Sequence, residues 1–524
     1  MNGSTSILPS TPMVTQALAM LRGSLERVAF VLALLGAFVA PSPATAQCLP
    51  GWVPSVGTPG LNNFFTCTQP LPGGDVLVGG IFSSAGGITA NSIARYNPAT
   101  GAWSAVGSGT NGSVYALARL PGGDVIVGGV FTTAGGVPAN NIARYNPSTG
   151  NWSALGAGVN SFVFAMAVLP GGDVIVGGQF NNAGGSGGRN YIARYNPSTN
   201  TWSAMGSGMD NDVYCMAVLP GGDVIVGGDF SFAGGVAVSK VARYRPSTNT
   251  WTGVGSGVDN AVVTLGVLPG GDVVVGGSFQ NAGTVAVRGI ARLNPATNTW
   301  SALGAGLNNF VSSVVVLLDG DVIAAGYFTA AGGVPANFVA RYNPGSNTWS
   351  SLGSGTNADV FYMGLLPGGD VLLSGYFTSA GGNPATNIAR YNPGPTPLVV
   401  LVQPAPVATT PSGTAAFTVA VEGGGGGYRY QWQYYGMPIS TLVNPTAQSP
   451  VLVLREVQLN TLGFYSCRVD SDCDVVGTRT VELSFVRPTC GPSDVAGPGQ
   501  SPGSDGQLTA DDIIVFLNRF FAGC

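Results

Sequence analysis

The fold is decided by residues 213–254, which read VYCMAVLPGGDVIVGGDFSFAGGVAVSKVARYRPSTNTWTGV. Turn residues divide this stretch into short segments rich in β-branched and aromatic side chains, a composition typical of strands. The Pro-Gly-Gly-Asp turn at 220–223 supplies the fixed and positive φ angles that a hairpin needs. The four predicted strands are residues 213–219, 224–226, 241–244 and 250–254.

This unit of about fifty residues is written seven times. Its hairpin turn recurs at steps of 49 or 50 residues, with the aspartate at Asp75, Asp124, Asp173, Asp223, Asp272, Asp321 and Asp370. An Ala-Arg-Tyr-Asn-Pro phrase, or a close variant, keeps the same step, with its arginine at Arg95, Arg144, Arg194, Arg243, Arg292, Arg341 and Arg390. A tryptophan marks the fourth segment at Trp52, Trp103, Trp152, Trp202, Trp251, Trp300 and Trp349. Such a period indicates a solenoid, a propeller or an array, and four strands per unit favour propeller blades.

The two ends of the array decide between a closed ring and an open solenoid. The first copy holds only a fourth segment, residues 51–56 with Trp52, and the last copy stops after Asn392-Pro393 without one. The N-terminal segment would therefore complete the last blade, on the strand that bears Arg390, and leave no missing strand there. An open stack would need polar caps at both ends. We predict a seven-bladed β-propeller with its linker over residues 47–397.

The repeat resembles the kelch-type propeller unit. In the second full copy, residues 127–129 are Val-Gly-Gly at the end of a strand, residues 145–147 are a Tyr-Asn-Pro turn, and Trp152 follows Asn151. The resemblance covers residues 51–393. It implies the fold and no particular function, because kelch-like rings serve as enzymes, adhesins and scaffolds.

The N-terminus has the features of a secretory signal. Arg22 and Arg27 precede an apolar run at 28–40 and an Ala-Thr-Ala at 44–46, which predicts a signal peptide over residues 1–46 with cleavage before Gln47. The apolar run is too short to span a bilayer comfortably. We expect the mature chain to be exported, extracellular or at the cell surface, with no membrane span. The ring carries no basic stripe, so nucleic acid is not an expected partner.

Seven cysteines fit an oxidising compartment. Spacing suggests three local disulfides and leaves Cys215 as a small buried hydrophobe on an inner strand, although spacing does not determine connectivity. The suggested pairs are Cys48–Cys67, Cys467–Cys473 and Cys490–Cys524.

The repeat ends at a Gly-Pro-Thr-Pro linker, and residues 398–488 show alternating strands. This segment resembles an immunoglobulin-like β-sandwich. The resemblance implies that Trp432 is the core tryptophan and that Tyr465, two residues before Cys467, forms the tyrosine corner. No cysteine lies on the early strand, so the usual disulfide between the sheets is missing.

Residues 489–524 form a third predicted module, a short helical tail. Thr509 and Asp512 make an acidic capping box, and residues 513–521 place five apolar side chains on one helical face. The segment resembles half of a dockerin, whose loops bind calcium as EF-hands do. The resemblance implies calcium held by Asp494, Asp505 and Asp512. The alternative is a capped helix closed by the Cys490–Cys524 bridge. Either form would serve in sorting or docking.

The chain has no histidine. This removes the commonest general base and the commonest zinc or copper ligand, and with them galactose-oxidase chemistry and Ser-His-Asp or Cys-His hydrolysis. No cofactor is expected other than calcium in the tail. Carboxylate-pair glycosidase chemistry stays open.

One ring of polar residues precedes the innermost strands and should circle one mouth of the central channel. These candidate ligand-binding residues are Asn62, Asn111, Asn160, Asp210, Asp259, Asn308 and Asn357. The alternative is that they form turns. The turn aspartates are expected to cap their own hairpins rather than to hold a metal, and the strand arginines to pack or pair rather than to bind an anion.

Binding is expected on the longest loops of each unit, since loops on rigid scaffolds commonly carry function. They follow Phe82, Phe131, Phe180, Phe230, Phe279, Phe328 and Phe377. The loops entering the innermost strands should share this face, and the loop with Arg189 and Asn190 carries an insertion.

The sequence thus predicts an all-β chain: a seven-bladed β-propeller, an immunoglobulin-like β-sandwich and a short helical tail. The favoured function is an exported, non-catalytic binding or adhesion protein that presents the propeller loop face to an extracellular polysaccharide or a cell-surface protein. Two alternatives remain open: a carbohydrate-active enzyme that uses carboxylates on that face, and a structural surface component.

Overall fold

A computed structural model describes residues 49–486, apart from 55, 57, 58, 397, 424–427 and 472. The expected signal peptide and the tail lie outside the described residues, as do Cys48, Cys490, Cys524 and the proposed calcium ligands Asp494, Asp505 and Asp512. The described chain is all-β, and its only helical segments are two 3-10 turns, Pro445–Gln448 and Leu459–Thr461. Neither is long and apolar enough to cross a membrane.

Seven four-stranded antiparallel sheets form the blades of a propeller. We number the blades 1 to 7 and number the strands outward from the axis. The first strands are Phe65–Pro70, Ser113–Arg119, Val163–Val168, Val213–Val218, Val262–Val267, Val311–Val316 and Val360–Leu365. The second strands are Val76–Gly80, Val125–Val130, Val174–Gly178, Val224–Gly228, Val273–Gly277, Val322–Gly326 and Val371–Gly375. The third strands are Ile93–Asn97, Ile142–Tyr145, Ile192–Asn196, Val241–Arg245, Ile290–Asn294, Val339–Asn343 and Ile388–Asn392. The fourth strands are Ala102–Ala105, Trp152–Ala154, Thr201–Ser203, Thr250–Gly253, Thr299–Ser301, Thr348–Ser351 and, in blade 7, Gly51–Val53.

Each loop between a second and a third strand contains a small hairpin of two-residue strands. These are Ser84–Ala85 with Ile88–Thr89, Thr133–Ala134 with Val137–Pro138, Asn182–Ala183 with Ser186–Gly187, Phe232–Ala233 with Val236–Ala237, Asn281–Ala282 with Val285–Ala286, Ala330–Ala331 with Val334–Pro335, and Ser379–Ala380 with Asn383–Pro384. We call them the loop hairpins.

The hydrophobic core lies between the blades. Every residue of a second strand such as Val224–Gly228 is buried, because neighbouring blades cover both faces of the sheet. The core between blades 3 and 4, for example, joins Ile175 of one blade to Val213 and Val226 of the next. The continuous apolar runs in the sequence are therefore explained by blade stacking.

The ring closes as the sequence predicts. Gly51–Val53 pairs antiparallel with Ile388–Asn392, with Trp52 opposite Tyr391. The Trp52 indole lies 5.3 Å from the Tyr391 ring, and its Nε1 donates a hydrogen bond to the Leu352 carbonyl at 2.8 Å. The N-terminal segment is thus the outer strand of the last blade.

The interface between blades 7 and 1, which we call the seam, has bonds of its own. Ser374 occupies a position that is glycine in blades 1 to 5 and Ala325 in blade 6. Its buried Oγ accepts the Phe65 N–H at 2.9 Å and donates to the Asn387 carbonyl at 3.1 Å. Arg390 Nη1 adds a bond to the Pro98 carbonyl at 2.6 Å. The seam is therefore tied by polar groups as well as by apolar packing.

The second module is a β-sandwich. Val407–Thr409, Val481–Phe485, Gly463–Asp470, Arg429–Tyr434, Met437–Pro438 and Val475–Gly477 make the larger sheet. Val399–Val402 pairs with Ala420–Glu422, and Ala415–Thr418 pairs with Val451–Leu454. Trp432 is fully buried in the core, where it packs near Phe417 with ring centroids 6.0 Å apart. Tyr465 is also buried, and its hydroxyl donates a hydrogen bond to the Thr461 carbonyl at 2.6 Å.

Two of the suggested disulfides are wrong. Cys67 is free, because its Sγ points between blades 1 and 2 and fills the space beside Gly79. Cys467 is also free and lies in the sandwich core, whereas Cys473 is in a disulfide with another partner. Burial raises the pKa of the Cys67 thiol to about 12 and that of Cys467 to about 11. Cys215 is a free, buried hydrophobe, as predicted.

Candidate functional site

Every first strand begins with a β-bulge. In blade 3, for instance, Val163 pairs with Gly178 and Ala165 with Gly177, so Phe164 is an extra residue. A bulge of this kind redirects a side chain that regular alternation would bury. The bulged residues are Thr66, Tyr115, Phe164, Tyr214, Val263, Ser312 and Phe361.

Six of these seven, all but Thr66, line one cavity of about 570 Å³. Because they come from the first strands of blades 2 to 7 and Phe64 enters from blade 1, the cavity lies on the ring axis. Some of the further lining residues precede a first strand, as Phe310 does, and others follow a second strand, as Tyr327 and Tyr376 do. First strands begin where second strands end, so this central cavity opens on the face of the loop hairpins.

Aromatic rings dominate the wall of the central cavity. Phe361 lies 4.9 Å from Tyr376 at an interplanar angle of 90° and 5.5 Å from Phe64 at 60°. Phe64 and Tyr376 are themselves 5.5 Å apart at 84°. On another part of the wall, Phe164 lies 5.8 Å from Tyr214. Tyr376 is 62% exposed, which makes this wall accessible from the loop face.

Three carboxylates stand at the rim of the cavity. Asp212 and Asp359 directly precede the first strands of blades 4 and 7, and Asp229 directly follows the second strand of blade 4. Asp229 forms an ion pair with Lys240 at 2.9 Å, whereas no lysine or arginine of the described chain pairs with Asp212 or Asp359. The rim is therefore net negative.

The environment of these acids is partly desolvated. Asp212 Oδ2 accepts from the Tyr214 hydroxyl at 3.4 Å and from Gln179 Nε2 at 3.3 Å. Burial raises the pKa of Asp212 despite both bonds. Burial, and then the negative charges of Asp212 and Asp229, raise the pKa of Tyr214 to about 12. Burial and the Asp359 charge likewise raise the pKa of Tyr327, which places that carboxylate within electrostatic range of the lining phenol.

The predicted polar ring sits on the same face and holds the loops together. Asn62 Oδ1 accepts the backbone N–H groups of Ser83 and Ser84 at 2.9 and 3.0 Å. The equivalent pair of bonds occurs in all seven blades, at Asn62, Asn111, Asn160, Asp210, Asp259, Asn308 and Asn357. All seven side chains are exposed. Their bonds account for a structural role, and a ligand-binding role stays a prediction.

The turn aspartates and the strand arginines pair with each other. Arg95 Nε lies 2.5 Å from Asp75 Oδ2, and Asn97 Nδ2 donates to Asp75 Oδ1 at 2.7 Å. The same Asp–Arg pair occurs in every blade at 2.5–2.7 Å. The expectation that each carboxylate caps its own hairpin is wrong, because it reaches across to the third strand. The expectation that the arginines are paired is confirmed.

The inserted loop of blade 3 is fixed by Arg189. Its Nη1 donates to the carbonyls of Ala183 and Ser186, and its Nη2 donates to the Trp202 carbonyl at 3.0 Å. These contacts occupy the guanidinium within the loop.

The aromatic cavity was not predicted from the sequence, although the repeats carry a signal for it. The seven repeats are near copies, and three positions at the cavity differ strongly between them. Two residues before each bulged residue stand Phe64, Ser113, Phe162, Asp212, Ala261, Phe310 and Asp359. The residues that follow the second Gly position are Ile81, Val130, Gln179, Asp229, Ser278, Tyr327 and Tyr376. The third position is the bulged residue. Strong variation at positions that line a cavity, within an otherwise repeated scaffold, indicates a recognition surface.

Comparisons with known families support the propeller. The Rax2 C-terminal β-propeller domain matches residues 71–161 and 154–268. A β-propeller domain of unknown function, DUF5122, matches residues 269–296, 318–347 and 367–394. No curated protein matches the sequence. Together with the closed ring, these matches define a β-propeller protein, a class with binding or structural roles.

Solved structures show more distant similarity. The WD40 β-propeller domain of Doa1 is 12% identical, with 63% of this chain and 93% of that chain covered and a TM-score of 0.41. Extracellular domains 3–5 of Drosophila OTK are 18% identical, with 22% and 39% covered and a TM-score of 0.16. A chimeric titin Z1Z2 is 14% identical, with 18% and 97% covered and a TM-score of 0.16.

Proposed function

We propose that this protein is an exported, non-catalytic binding protein whose ligand enters the central cavity from the loop-hairpin face. The observation that carries the proposal is the cavity itself: its wall is built from the positions that vary between otherwise near-identical repeats. A concave, mostly apolar site with a few polar groups at its edge is the usual form of a ligand pocket. The sandwich and the tail would then attach or present the ring at the cell surface.

The same geometry favours binding over catalysis. Glycoside hydrolysis needs two carboxyl groups that flank the bond to be broken. At the rim of the cavity Asp229 is engaged by Lys240. The other two rim carboxylates, Asp212 and Asp359, belong to blades 4 and 7, which are not neighbours in the ring, and the wall below the rim is largely aromatic. Such rings provide contact area for a ligand, and burial raises the pKa of the Tyr214 and Tyr327 phenols, which makes both poor general bases at neutral pH.

The test is a binding screen with a matched pair of variants. The mature chain, residues 47–524, is applied to arrays of extracellular polysaccharides and of surface peptides. Tyr376→Ser changes an exposed ring in the cavity, and Leu318→Ser changes a side chain of similar exposure, 66%, in the hairpin turn on the opposite face. We expect Tyr376→Ser to lose the ligand and Leu318→Ser to keep it; the reverse pattern refutes the placement.

Export and anchoring are tested separately. The N-terminal sequence of the secreted protein should begin at Gln47. A chain truncated after residue 488 should keep a folded propeller but leave the cell surface. Retention at the surface by the truncated chain would remove the tail from the proposal.

A further inference from the structure

We propose that the central cavity binds an alkylated ammonium group. This inference rests on the proposed function, because it takes the cavity as the ligand site and adds the chemistry of the ligand. It is carried by two independent features of the wall and rim, the arrangement of the rings and the sign of the charge.

The first feature is a corner of three aromatic rings. Phe64, Phe361 and Tyr376 lie within 4.9–5.5 Å of one another, at mutual angles of 60–90°. Tyr327 extends the corner at 6.0 Å from Phe361. Rings set steeply to one another present their faces in more than one direction. A cation within about 6 Å of a ring centroid is attracted by the negative face of the ring, and quaternary ammonium groups are recognised in this way.

The second feature is the charge of the rim. The rim carries three carboxylates, Asp212, Asp229 and Asp359, and one lysine, Lys240, which forms an ion pair with Asp229. Two carboxylates therefore lack a basic partner among the described residues. Desolvation strengthens their attraction for a positive ligand. An anionic ligand would be repelled at the same rim.

A neutral sugar fits this site less well. Stacking on rings would be available, but a sugar also needs hydrogen-bonding groups for its hydroxyls. Two hydroxyl groups of the wall are already engaged within the protein: Ser312 donates to the Val360 carbonyl at 2.6 Å, and Tyr214 donates to Asp212 at 3.4 Å. An alkylated ammonium donates few or no hydrogen bonds and requires only ring faces and negative charge, both of which the cavity provides.

The experiment compares a cation with its neutral isostere. Calorimetric titrations of the mature chain use choline and 3,3-dimethylbutan-1-ol, which has the same shape without the charge. We expect saturable choline binding, at least tenfold weaker binding of the alcohol, and weakening by added salt. Equal binding of the two compounds, or no choline binding, overturns the inference.

Two variants and a control locate the site. Phe361→Leu keeps an apolar side chain but removes a ring, and we expect roughly two- to thirtyfold weaker choline binding, the range of a single cation–π contact. Asp212→Asn should weaken choline and leave the neutral alcohol unchanged. Phe232→Leu changes a half-exposed ring on a loop hairpin, outside the cavity, and should bind as the wild type does. Unaltered melting temperatures confirm that all three fold, and unaltered choline binding by Phe361→Leu refutes the inference.

Further titrations identify the source of the ammonium group. A trimethyllysine peptide and phosphatidylcholine vesicles are each compared with unmethylated peptide and phosphatidylglycerol vesicles. Binding of the trimethyllysine peptide but not of the unmethylated peptide identifies a protein tail as the partner. Binding of phosphatidylcholine but not of phosphatidylglycerol vesicles identifies a lipid surface. If an array ligand without a cation binds in a Tyr376-dependent manner while choline does not, the proposed function stands and this inference fails. If no ligand depends on Tyr376, both fail.

Discussion

Trp52→Ala should destabilise the whole propeller, although Trp52 lies close to the N-terminal end of the described chain. The substitution removes the ring contact with Tyr391 at 5.3 Å and the hydrogen bond to the Leu352 carbonyl. It also opens a void over Gly381, where the indole lies so close that an added Cβ would approach it to 2.2 Å. Truncating a packed tryptophan to alanine costs about 3–5 kcal/mol of unfolding free energy.

The expected shift in melting temperature follows from the size of the ring. An unfolding entropy of about 2 cal/mol/K per residue gives roughly 0.7 kcal/mol/K for a ring of this length. The substitution should therefore lower Tm by about 4–7 °C. Circular dichroism melts of the mature chain measure this, with fluorescence as a second probe.

Trp202→Ala is the matched control, because Trp202 takes the same place in blade 3. It lies 5.0 Å from Tyr195 and donates to the Leu155 carbonyl at 3.4 Å. The two variants should lose similar stability. If Trp202→Ala melts early while Trp52→Ala melts with the wild type, the N-terminal strand is not part of the ring and the reasoning on closure is wrong.

Three further substitutions test single polar contacts. Ser374→Ala leaves the Phe65 N–H buried without its acceptor and should cost about 1–3 kcal/mol, read as a lower urea midpoint; an unchanged midpoint contradicts the seam bond. Arg390→Leu leaves the Asp370 carboxylate buried without its partner, and burial already raises the pKa of Asp370 despite the arginine. The substitution should cost about 3–5 kcal/mol of unfolding free energy in the same urea titration. An unchanged unfolding free energy would argue against a buried ion pair. Partial burial raises the pKa of Asp259, but hydrogen bonds from a neighbouring side chain and from backbone N–H groups outweigh it and lower the pKa overall. The stability from Asp259 is thus present above the carboxyl's ordinary pKa and lost as pH falls through the lowered value. Asp259→Asn keeps the acceptor oxygen, so its Tm should match the wild type at pH 7 and fall less in acid; since the group is mostly exposed, the difference should stay below about 1 kcal/mol, and a parallel acid loss in both proteins would show that Asp259 does not contribute.

The repeat made the architecture predictable and hid the site. Trp52 and Arg390 reveal closure because each belongs to a set with a fixed period. The last copy, which bears Arg390, has no tryptophan segment after it, and the N-terminal segment with Trp52 is a tryptophan segment without the rest of its unit. Phe164 was not recognised, because strict alternation along a strand gives no sign of a bulge, and one extra residue turns the side chain from the blade interface to the axis.

Side-chain contacts between strands could not be predicted from the sequence either. Asp75 and Arg95 are twenty residues apart and meet only because the second strand, which Asp75 directly precedes, begins where the third strand ends. Sequence spacing likewise gave no indication that the Cys67 thiol faces Gly79 rather than another cysteine. Such facts depend on which way a side chain points, and that is fixed by register.

A propeller built from near-identical repeats must close after the correct number of blades. The strand Gly51–Val53 is made first, and its partner Ile388–Asn392 is made more than three hundred residues later. In the meantime each earlier third strand offers a similar edge, so premature closure would give a smaller ring. Ser374 distinguishes the correct closing blade, because only there does the preceding blade present a hydroxyl to the Phe65 N–H. At every earlier blade that position is glycine or alanine, and closure there would leave the N–H buried and unbonded. One hydroxyl group thus favours closure at the seventh blade over closure at an earlier one.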